Sequence, residues 1–137
     1  MSLVLDSSVT LAWAYSEEAT PSVLKVLDLV TASGAWVPSL WRLEVANILE
    51  MGVRRLRNDA AFRDATLADF GLLPISLDVE TDQQAWGATL RLAARHRLTL
   101  NDAAYLELAM RRALPLATLD LELRAAANAE GIELLGI

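Results

Sequence analysis

The sequence Leu-Val-Leu-Asp-Ser-Ser-Val, residues 3–9, decides the fold class and raises the first functional question. Its first three residues are apolar without alternation, which is typical of a short strand buried on both faces of a sheet. The run ends in a carboxylate at Asp6, and a helical pattern follows over residues 7–15. Because Asp is a favoured N-cap residue, Asp6 has a structural explanation beside any functional one.

The rest of the chain repeats this alternation of short apolar strands and helices. We predict further strands at 36–37, 73–77, 114–118 and 132–135. We predict further helices at 21–33 with Gly34 as the stop, at 39–57 capped by Ser39, from 58 or 59 to 70, at 78–96 capped by Asp78, at 99–112 and at 121–130. This order favours an α/β fold, a three-layer α/β/α sandwich with a mostly parallel central sheet.

Length and composition exclude several classes of protein. The chain has 137 residues and no Pro/Gly/Ser-rich divide, so we expect a single domain over residues 1–137. It contains no cysteine, which excludes thiolate metal sites and cysteine nucleophiles. No apolar run approaches the ~18 residues of a membrane span, and the first charged residue is an Asp. We therefore expect a soluble, cytoplasmic protein without a membrane partner.

The charge distribution leaves a nucleic-acid partner open. A formal net charge of -6 argues against such a partner, because proteins that bind nucleic acids usually carry basic surfaces. Several of the twelve basic residues nevertheless cluster, at 54–57, 91–97 and 111–112. Cations at the C-terminal ends of helices also have a simple structural explanation, since they complement the helix dipole.

Three carboxylates follow predicted strands, where open α/β sheets bind their ligands. They are Asp6, Asp78 and Asp120, and each also fits the N-cap of the next helix. A fourth acid, Asp102, completes a capping-box pattern that begins at Thr99. Taken singly, each of these acids is explained by capping as well as by chemistry.

Glu44 differs because it lies inside a predicted helix. Positions 40, 44, 47, 48 and 51 share one helix face, so Glu44 interrupts an otherwise mostly apolar stripe. Glu is almost never fully buried without a partner. Either the carboxylate reaches water at the rim of the stripe, or it is paired with a cation, for which a metal ion is the candidate.

A shared site would explain Asp6, Glu44, Asp102 and Asp120 together. Two carboxylates ~4 Å apart repel by about 4 kcal/mol at an effective dielectric of ~20, and a divalent cation reverses that cost. Oxygen ligands without Cys or clustered His suit Mg²⁺ or Mn²⁺. Such an ion activates water and stabilises a leaving oxygen, which is the chemistry of phosphodiester hydrolysis.

The same residues carry a resemblance to a known family. The motifs are Leu-Val-Leu-Asp-Ser-Ser-Val at 3–9, Pro-x-x-x-x-x-Glu-x-x-Asn-x-Leu at 38–49, Asn-Asp-Ala-Ala-Tyr-Leu-Glu-Leu-Ala at 101–109 and Leu-Ala-Thr-Leu-Asp at 116–120. In this order they resemble PIN-domain ribonucleases, and within them most nearly the VapC-like toxins of type II toxin-antitoxin systems. The match covers essentially the whole chain; the departure is the acidic net charge.

The resemblance implies a metal-dependent endoribonuclease with Mg²⁺ or Mn²⁺ held at Asp6, Glu44, Asp102 and Asp120. It also implies that Thr118 supports the site through hydrogen bonds and that Ser8 and Asn47 help to shape the pocket. The implied partners are an RNA substrate, a second copy in a homodimer, and a cognate antitoxin whose C-terminal segment lies over a groove near the active site. The family assigns no role to Asp78, which leaves it as an N-cap.

Three alternatives stay open at this point. A PIN-like module could bind protein or RNA without cleaving it, although a pure binding surface has no need of clustered carboxylates. A phosphoacceptor or phosphatase domain built on Asp6 is less consistent with the sequence, because Asp-Ser-Ser-Val lacks the Asp-x-Asp pattern of such phosphatases.

Finally, Trp13 and Trp41 fit either core packing or a groove for a partner helix or dimer.

Overall fold

The central sheet of the computed structural model, which describes residues 2–137, has five strands. They are β1 (Val4–Leu5), β2 (Ala35–Val37), β3 (Ile75–Leu77), β4 (Leu116–Ala117) and β5 (Leu134–Leu135). Every pair of neighbours is parallel, in the order β3-β2-β1-β4-β5. Val4 lies opposite Trp36 on one side and Leu116 on the other. The predicted α/β/α class is confirmed, and the sheet is parallel throughout.

Eight α-helices are found in residues 2–137, with a short 3-10 helix at Ser16–Glu18. They are α1 (Ser7–Ala14), α2 (Pro21–Ser33), α3 (Trp41–Arg54), α4 (Ala60–Gly71), α5 (Thr81–Gln84), α6 (Ala88–His96), α7 (Leu100–Arg112) and α8 (Leu121–Ala129). Helix α7 packs on β1 and β4 and is flanked by α5, α6 and α8, while α1 packs against α2 and α3. Helix α7 is therefore packed beside the two central strands on one side and against three helices on the others.

Several helix ends lie where capping chemistry predicted them. Thr20 Oγ1 accepts a hydrogen bond from Val23 N at 3.2 Å ahead of α2, and Asp59 caps α4 through Phe62 N at 2.8 Å. Gly34 ends α2 with φ +77°, and a Cβ there would come within 3.0 Å of the Pro74 carbonyl oxygen. The α2–β2 turn therefore needs the one residue type without a Cβ.

Two predicted helices are wrong in their bounds. Ser39 does not cap α3, because the helix begins at Trp41. The backbone N–H of Ser39 donates instead to Thr81 Oγ1 at 3.1 Å. The predicted helix 78–96 is two helices, separated at Ala85–Gly87, and its first turn begins at Thr81 with Glu80 in the N-cap position. A glycine at 87 explains the interruption, because glycine disfavours a continuous helix.

Asp78 is therefore not the N-cap that the sequence predicted. It is 1 % exposed and pairs with Arg111 of α7, whose Nη2 lies 2.6 Å from Asp78 Oδ2. Thr81 Oγ1 donates to the same oxygen at 3.0 Å. Burial alone would raise the pKa of Asp78, but the hydrogen bonds from Arg111 and Thr81 hold it below its usual value. This ion pair ties β3 to the C-terminal end of α7.

The buried face of α3 differs from the predicted one by one residue. The structure buries Trp41, Val45, Leu49 and Gly52, which leaves Glu44 half-buried at the edge of the core. Trp41 is buried and donates its Nε1–H to Thr10 Oγ1 at 3.2 Å. Trp13 is half-buried and packs edge-on against Phe70. Core packing therefore accounts for both tryptophans within this chain.

Gly52 lies where a side chain would collide with a packed loop. A Cβ at this position would overlap Asn58 Oδ1 and approach Tyr15 Oη at 3.1 Å. Asn58 occupies the space beside Gly52. Its side-chain amide accepts a hydrogen bond from Tyr15 Oη at 2.7 Å and donates one to the Leu49 carbonyl at 3.2 Å. The close approach of Asn58 thus fastens the loop after α3 to the end of α1.

Within residues 2–137, none of the helices combines the length and the hydrophobicity that a membrane crossing requires.

Candidate active site

The strand order reverses direction between β1 and β4, and the candidate site lies at that point. β1 leads into Asp6 and β4 leads into Thr118, so both side chains start from the carboxyl ends of adjacent parallel strands. The Asp6 N–H donates to the Ala117 carbonyl at 3.0 Å, which fixes the two strand ends together. Open parallel sheets bind ligands at such a crevice.

The carboxylate of Asp6 is held by hydroxyl groups. Although Asp6 occupies the N-cap position of α1, its side chain makes no capping hydrogen bond. Its Oδ2 accepts from Ser8 Oγ at 2.6 Å and from Thr118 Oγ1 at 2.7 Å, whereas the hydroxyl nearest its Oδ1 is Ser7 Oγ at 3.4 Å. The side chain is 4 % exposed. One carboxylate oxygen is thus locked by hydroxyls, and the other is less engaged.

Thr118 joins two of the predicted acids. Its buried hydroxyl donates to Asp6 and accepts from the Asp120 N–H at 3.1 Å. Asp120 in turn caps α8, since its Oδ1 accepts from Leu123 N at 3.0 Å. Ser8 adds a second link, because its Oγ accepts from the Leu119 N–H at 3.0 Å. The α1 and α8 turns are therefore fastened to each other around Asp6.

Glu44 reaches the same region from α3. It is half-buried, and its Oε1 accepts a hydrogen bond of 2.6 Å from the hydroxyl of Tyr105 on α7. The sequence predicted that the Glu44 carboxylate either reaches water at the rim of the helix stripe or binds a metal ion. It did not predict this hydrogen bond from Tyr105. Asn47, one turn further along α3, is exposed.

Asp102 completes the group from the first turn of α7. Its backbone N–H donates to Thr99 Oγ1 at 3.2 Å, as the capping pattern predicted. Its carboxylate interacts electrostatically with Asp6 and Asp120, and Glu44 interacts with Asp6 and Asp102. The structure therefore brings the four predicted acids into one region; their catalytic and metal-binding roles stay predictions.

Burial and mutual repulsion disfavour ionisation of three of these acids. Burial is the largest cause that raises the pKa of Asp6, Glu44 and Asp102 above their ordinary values. Neighbouring carboxylates raise them further, Asp120 acting on both Asp6 and Asp102. The hydroxyls of Ser8, Thr118 and Tyr105 oppose these shifts by stabilising the charged forms.

The chemistry of the donor atoms suits a hard divalent cation, since all four candidates offer carboxylate oxygens. In residues 2–137, however, no three His, Asp or Glu side chains are arranged to hold one ion between them. Mg²⁺ often uses only one or two protein carboxylates and completes its shell with water and phosphate oxygens. The residues fit an ion of that kind, with Asp6 Oδ1 as the least engaged buried ligand atom.

Two residues near the site were missed by the sequence reasoning. Tyr105 follows Asp102 by three positions, so the helical repeat could have placed both on one side of α7. Glu122, in the first turn of α8, contributes to raising the pKa of Asp102 and has no comparable motif signal. Tyr105 lies inside the motif at 101–109, but the sequence analysis assigned it no role.

Comparison with solved structures supports the fold. A structure of PAE2754 from Pyrobaculum aerophilum superposes with a TM-score of 0.71 at 24 % identity, covering 98 % of this chain and 83 % of that one. VapBC2 from Rickettsia felis, bound to a DNA fragment from its promoter, gives 0.65 at 12 % identity, covering 98 % and 97 %. The curated protein sequences contain no match.

The sequence also matches the profile of one family along most of its length. The match is to the PIN domain and spans residues 3–129, from the start of the strand before Asp6 to the end of α8. All four acids of the candidate site lie inside it. The chain belongs to the PIN-domain family.

Proposed function

We propose that this protein is an endoribonuclease that hydrolyses RNA phosphodiester bonds with Mg²⁺ or Mn²⁺. The observation that carries the proposal is the electrostatic coupling of Asp6, Glu44 and Asp102 at the strand-order reversal, with the pKa of each raised. Such an arrangement costs folding free energy, and perturbed groups in a cleft are typical of functional sites. Membership of the PIN-domain family supports the same reaction.

The metal would be held by Asp6 together with one or more of Glu44, Asp102 and Asp120. When bound, it supplies a more acidic water and stabilisation of charge on phosphate oxygens. It would also join an acidic site to an anionic substrate, which answers part of the objection raised by the net charge of -6.

The chain's own side chains would orient these acids. Ser8 and Thr118 hold Asp6 Oδ2, so Oδ1 keeps a fixed direction. Tyr105 does the same for Glu44 through its hydrogen bond to Oε1. Asp120 is restrained through its cap on Leu123 N and through Thr118. Positioned carboxylates of this kind reduce the reorganisation that a reaction would otherwise need.

We propose further that the protein is the toxin of a type II toxin-antitoxin pair. The likeness of the fold to VapBC2 supports this role, alongside the motifs that resemble VapC-like toxins. The proposed partners are a cognate antitoxin, RNA and a second copy in a homodimer, in the cytoplasm. Expression of the protein alone should arrest growth, and co-expression of the product of an adjacent short reading frame should restore it.

The nuclease proposal is tested by incubating the purified protein with single-stranded RNA in Mg²⁺ or Mn²⁺ and in EDTA. We expect cleavage with metal only, and loss of cleavage in Asp6→Asn and Asp102→Asn with the circular dichroism spectrum unchanged. Asp69→Asn, an exposed acid on α4, is the matched control and should cleave normally. Equal cleavage in EDTA would contradict the metal-dependent reaction.

One observation favours a second candidate, a PIN-like module that binds RNA or protein without cleaving it. No three acidic side chains in the described part of the chain form a ready metal site. This candidate predicts RNA binding that is insensitive to EDTA and to Asp102→Asn. The cleavage assay above separates it from the endoribonuclease.

A further inference from the structure

A cavity of about 320 Å³ adjoins the acid site and is not used by the chemistry described so far. Ser8 and Asp120 form part of its lining, so it opens directly beside the acids. Its walls are apolar, formed by Leu11, Ile48 and Leu119. These residues come from α1, α3 and the turn after β4, the same elements that carry Asp6, Glu44 and Asp120.

Arg57 and Glu18 also line this cavity, and because their side chains are 43 % and 44 % exposed they form a polar rim at its mouth. Arg57 Nη2 donates to Glu18 Oε2 at 2.9 Å and to Glu17 Oε1 at 2.8 Å. The carbon at the centre of the guanidinium lies 3.5 Å from the ring centroid of Tyr15. Within residues 2–137, Nε and Nη1 of Arg57 make no hydrogen bond, so N–H donors stand beside a carboxylate acceptor.

We propose that this cavity holds the base of a nucleotide next to the scissile phosphate of single-stranded RNA. This inference rests on the proposed endoribonuclease function and names what the site selects. An unpaired base has flat apolar faces and a polar edge, which matches apolar walls below a rim of donors and acceptors. A phosphate does not match, because the walls are apolar and the two glutamates offset the charge of Arg57.

Continuity with the acid site determines the occupant. Asp120 belongs to both, so a base in the cavity leaves its own phosphate beside the acids. A paired base could not present its edge to Arg57 and Glu18, so the cavity selects single-stranded regions. The apolar part should contribute to affinity, and the rim should determine which base is preferred.

The test fills the cavity with Ile48→Trp and uses Leu43→Trp on the same helix as the matched control. Ile48 is 39 % exposed and Leu43 is 77 % exposed, so both can enlarge without disturbing the core. The probe is a fluorescent single-stranded RNA of randomised sequence, and binding is measured by anisotropy in an Asp6→Asn background. We expect Ile48→Trp to weaken binding roughly tenfold, since the indole takes the space of one base, and Leu43→Trp to leave it unchanged.

A second variant reports on the rim. Arg57→Gln should change the base preference at the cleavage site, read by sequencing the products, while Mn²⁺ affinity by calorimetry stays at the wild-type value. Cleavage by the wild type together with unaltered binding and base preference in both variants would overturn the cavity proposal and leave the nuclease proposal standing. Absence of cleavage by the wild type would contradict the nuclease, and the binding assay would still decide whether the cavity takes a base.

Discussion

The hydroxyl of Tyr105, a fully buried residue of α7, donates a 2.6 Å hydrogen bond to Glu44 Oε1 and so joins α7 to α3 at the acid site. Burial is the main reason that the pKa of Tyr105 is raised far above its ordinary value, and the charges of Asp6 and Glu44 add to it. The phenol therefore stays protonated and acts as a donor at every working pH. Glu44 is positioned by this bond rather than by α3 alone.

Tyr105→Phe should loosen Glu44 without leaving a cavity in the core. We expect the free energy of unfolding to fall by about 1–2 kcal/mol, because one buried hydrogen bond to a charged group is lost. Mn²⁺ affinity, measured by calorimetry, should weaken at the same time if Glu44 takes part in metal binding.

The matched control for this substitution is Tyr15→Phe. Its hydroxyl also makes one hydrogen bond, to Asn58 Oδ1, and that bond does not involve an acid of the site. A similar loss of stability with unaltered Mn²⁺ affinity is expected for Tyr15→Phe. Equal effects of the two variants on Mn²⁺ would show that Tyr105 acts on stability only.

Mn²⁺ affinity should decrease as the pH is lowered from 8 to 5. The pKa values of Asp6, Glu44 and Asp102 are raised, so these groups take up protons at a higher pH than ordinary carboxyls. A protonated carboxyl is a poor metal ligand, hence protons compete with the ion. Titration calorimetry at several pH values measures the effect.

Asp102→Asn offers a check on that pH dependence. It removes one titrating group and one charge that raises the pKa of Glu44. The affinity of this variant should be lower at pH 8 and should vary less with pH than that of the wild type. Affinity that is constant from pH 5 to 8 in the wild type would contradict the competition.

Asp78→Asn should destabilise the fold by about 1–3 kcal/mol, because it removes a buried carboxylate that accepts two hydrogen bonds from Arg111, although Arg111 keeps its pair with Glu107. Glu80→Gln is the control, since Glu80 pairs with the same Arg111 at 3.1 Å but lies at the surface. Its effect should stay below about 1 kcal/mol. Urea unfolding at pH 7 measures both.

The pH dependence of the Asp78–Arg111 pair follows from the direction in which the pKa of Asp78 is shifted. The pKa of Asp78 is lowered in the folded protein, so its stabilisation is complete at neutral pH and is lost only as the pH falls through that lowered value. A pair that already loses its contribution near pH 6 would contradict the assignment. The difference in the free energy of unfolding between wild type and Asp78→Asn, measured from pH 7 down to pH 3, gives the contribution of this pair.

Gly52→Ala should destabilise the protein by about 1–3 kcal/mol, because the new methyl group displaces Asn58 from Tyr15. Gly71→Ala, at the end of α4, is the control: a Cβ there meets no atom within 4 Å. Alanine favours the helix, so Gly71→Ala should be neutral or stabilise by up to about 1 kcal/mol. Thermal melting measures the stability of both variants. Equal losses of stability in Gly52→Ala and Gly71→Ala would contradict the packing argument.

The sequence by itself determined the order of the elements and the residues at most helix ends. Short and mostly apolar runs of two to five residues indicated parallel strands, and Gly34 and residues 58–59 marked helix ends that the structure confirms. These signals are local, because a cap or a buried strand depends on neighbours along the chain. The acids at strand ends were visible for the same reason.

Only the tertiary structure decided which partner each polar group takes. Asp78 looked like a cap by position, but it pairs with Arg111, 33 residues away. Tyr105 lies in the motif at 101–109 without an assigned role, but its hydroxyl meets Glu44. On α3 two adjacent faces are both largely apolar, so periodicity could not choose the one that Trp41 buries. Such choices depend on contacts between distant segments, and a local pattern carries no information about them.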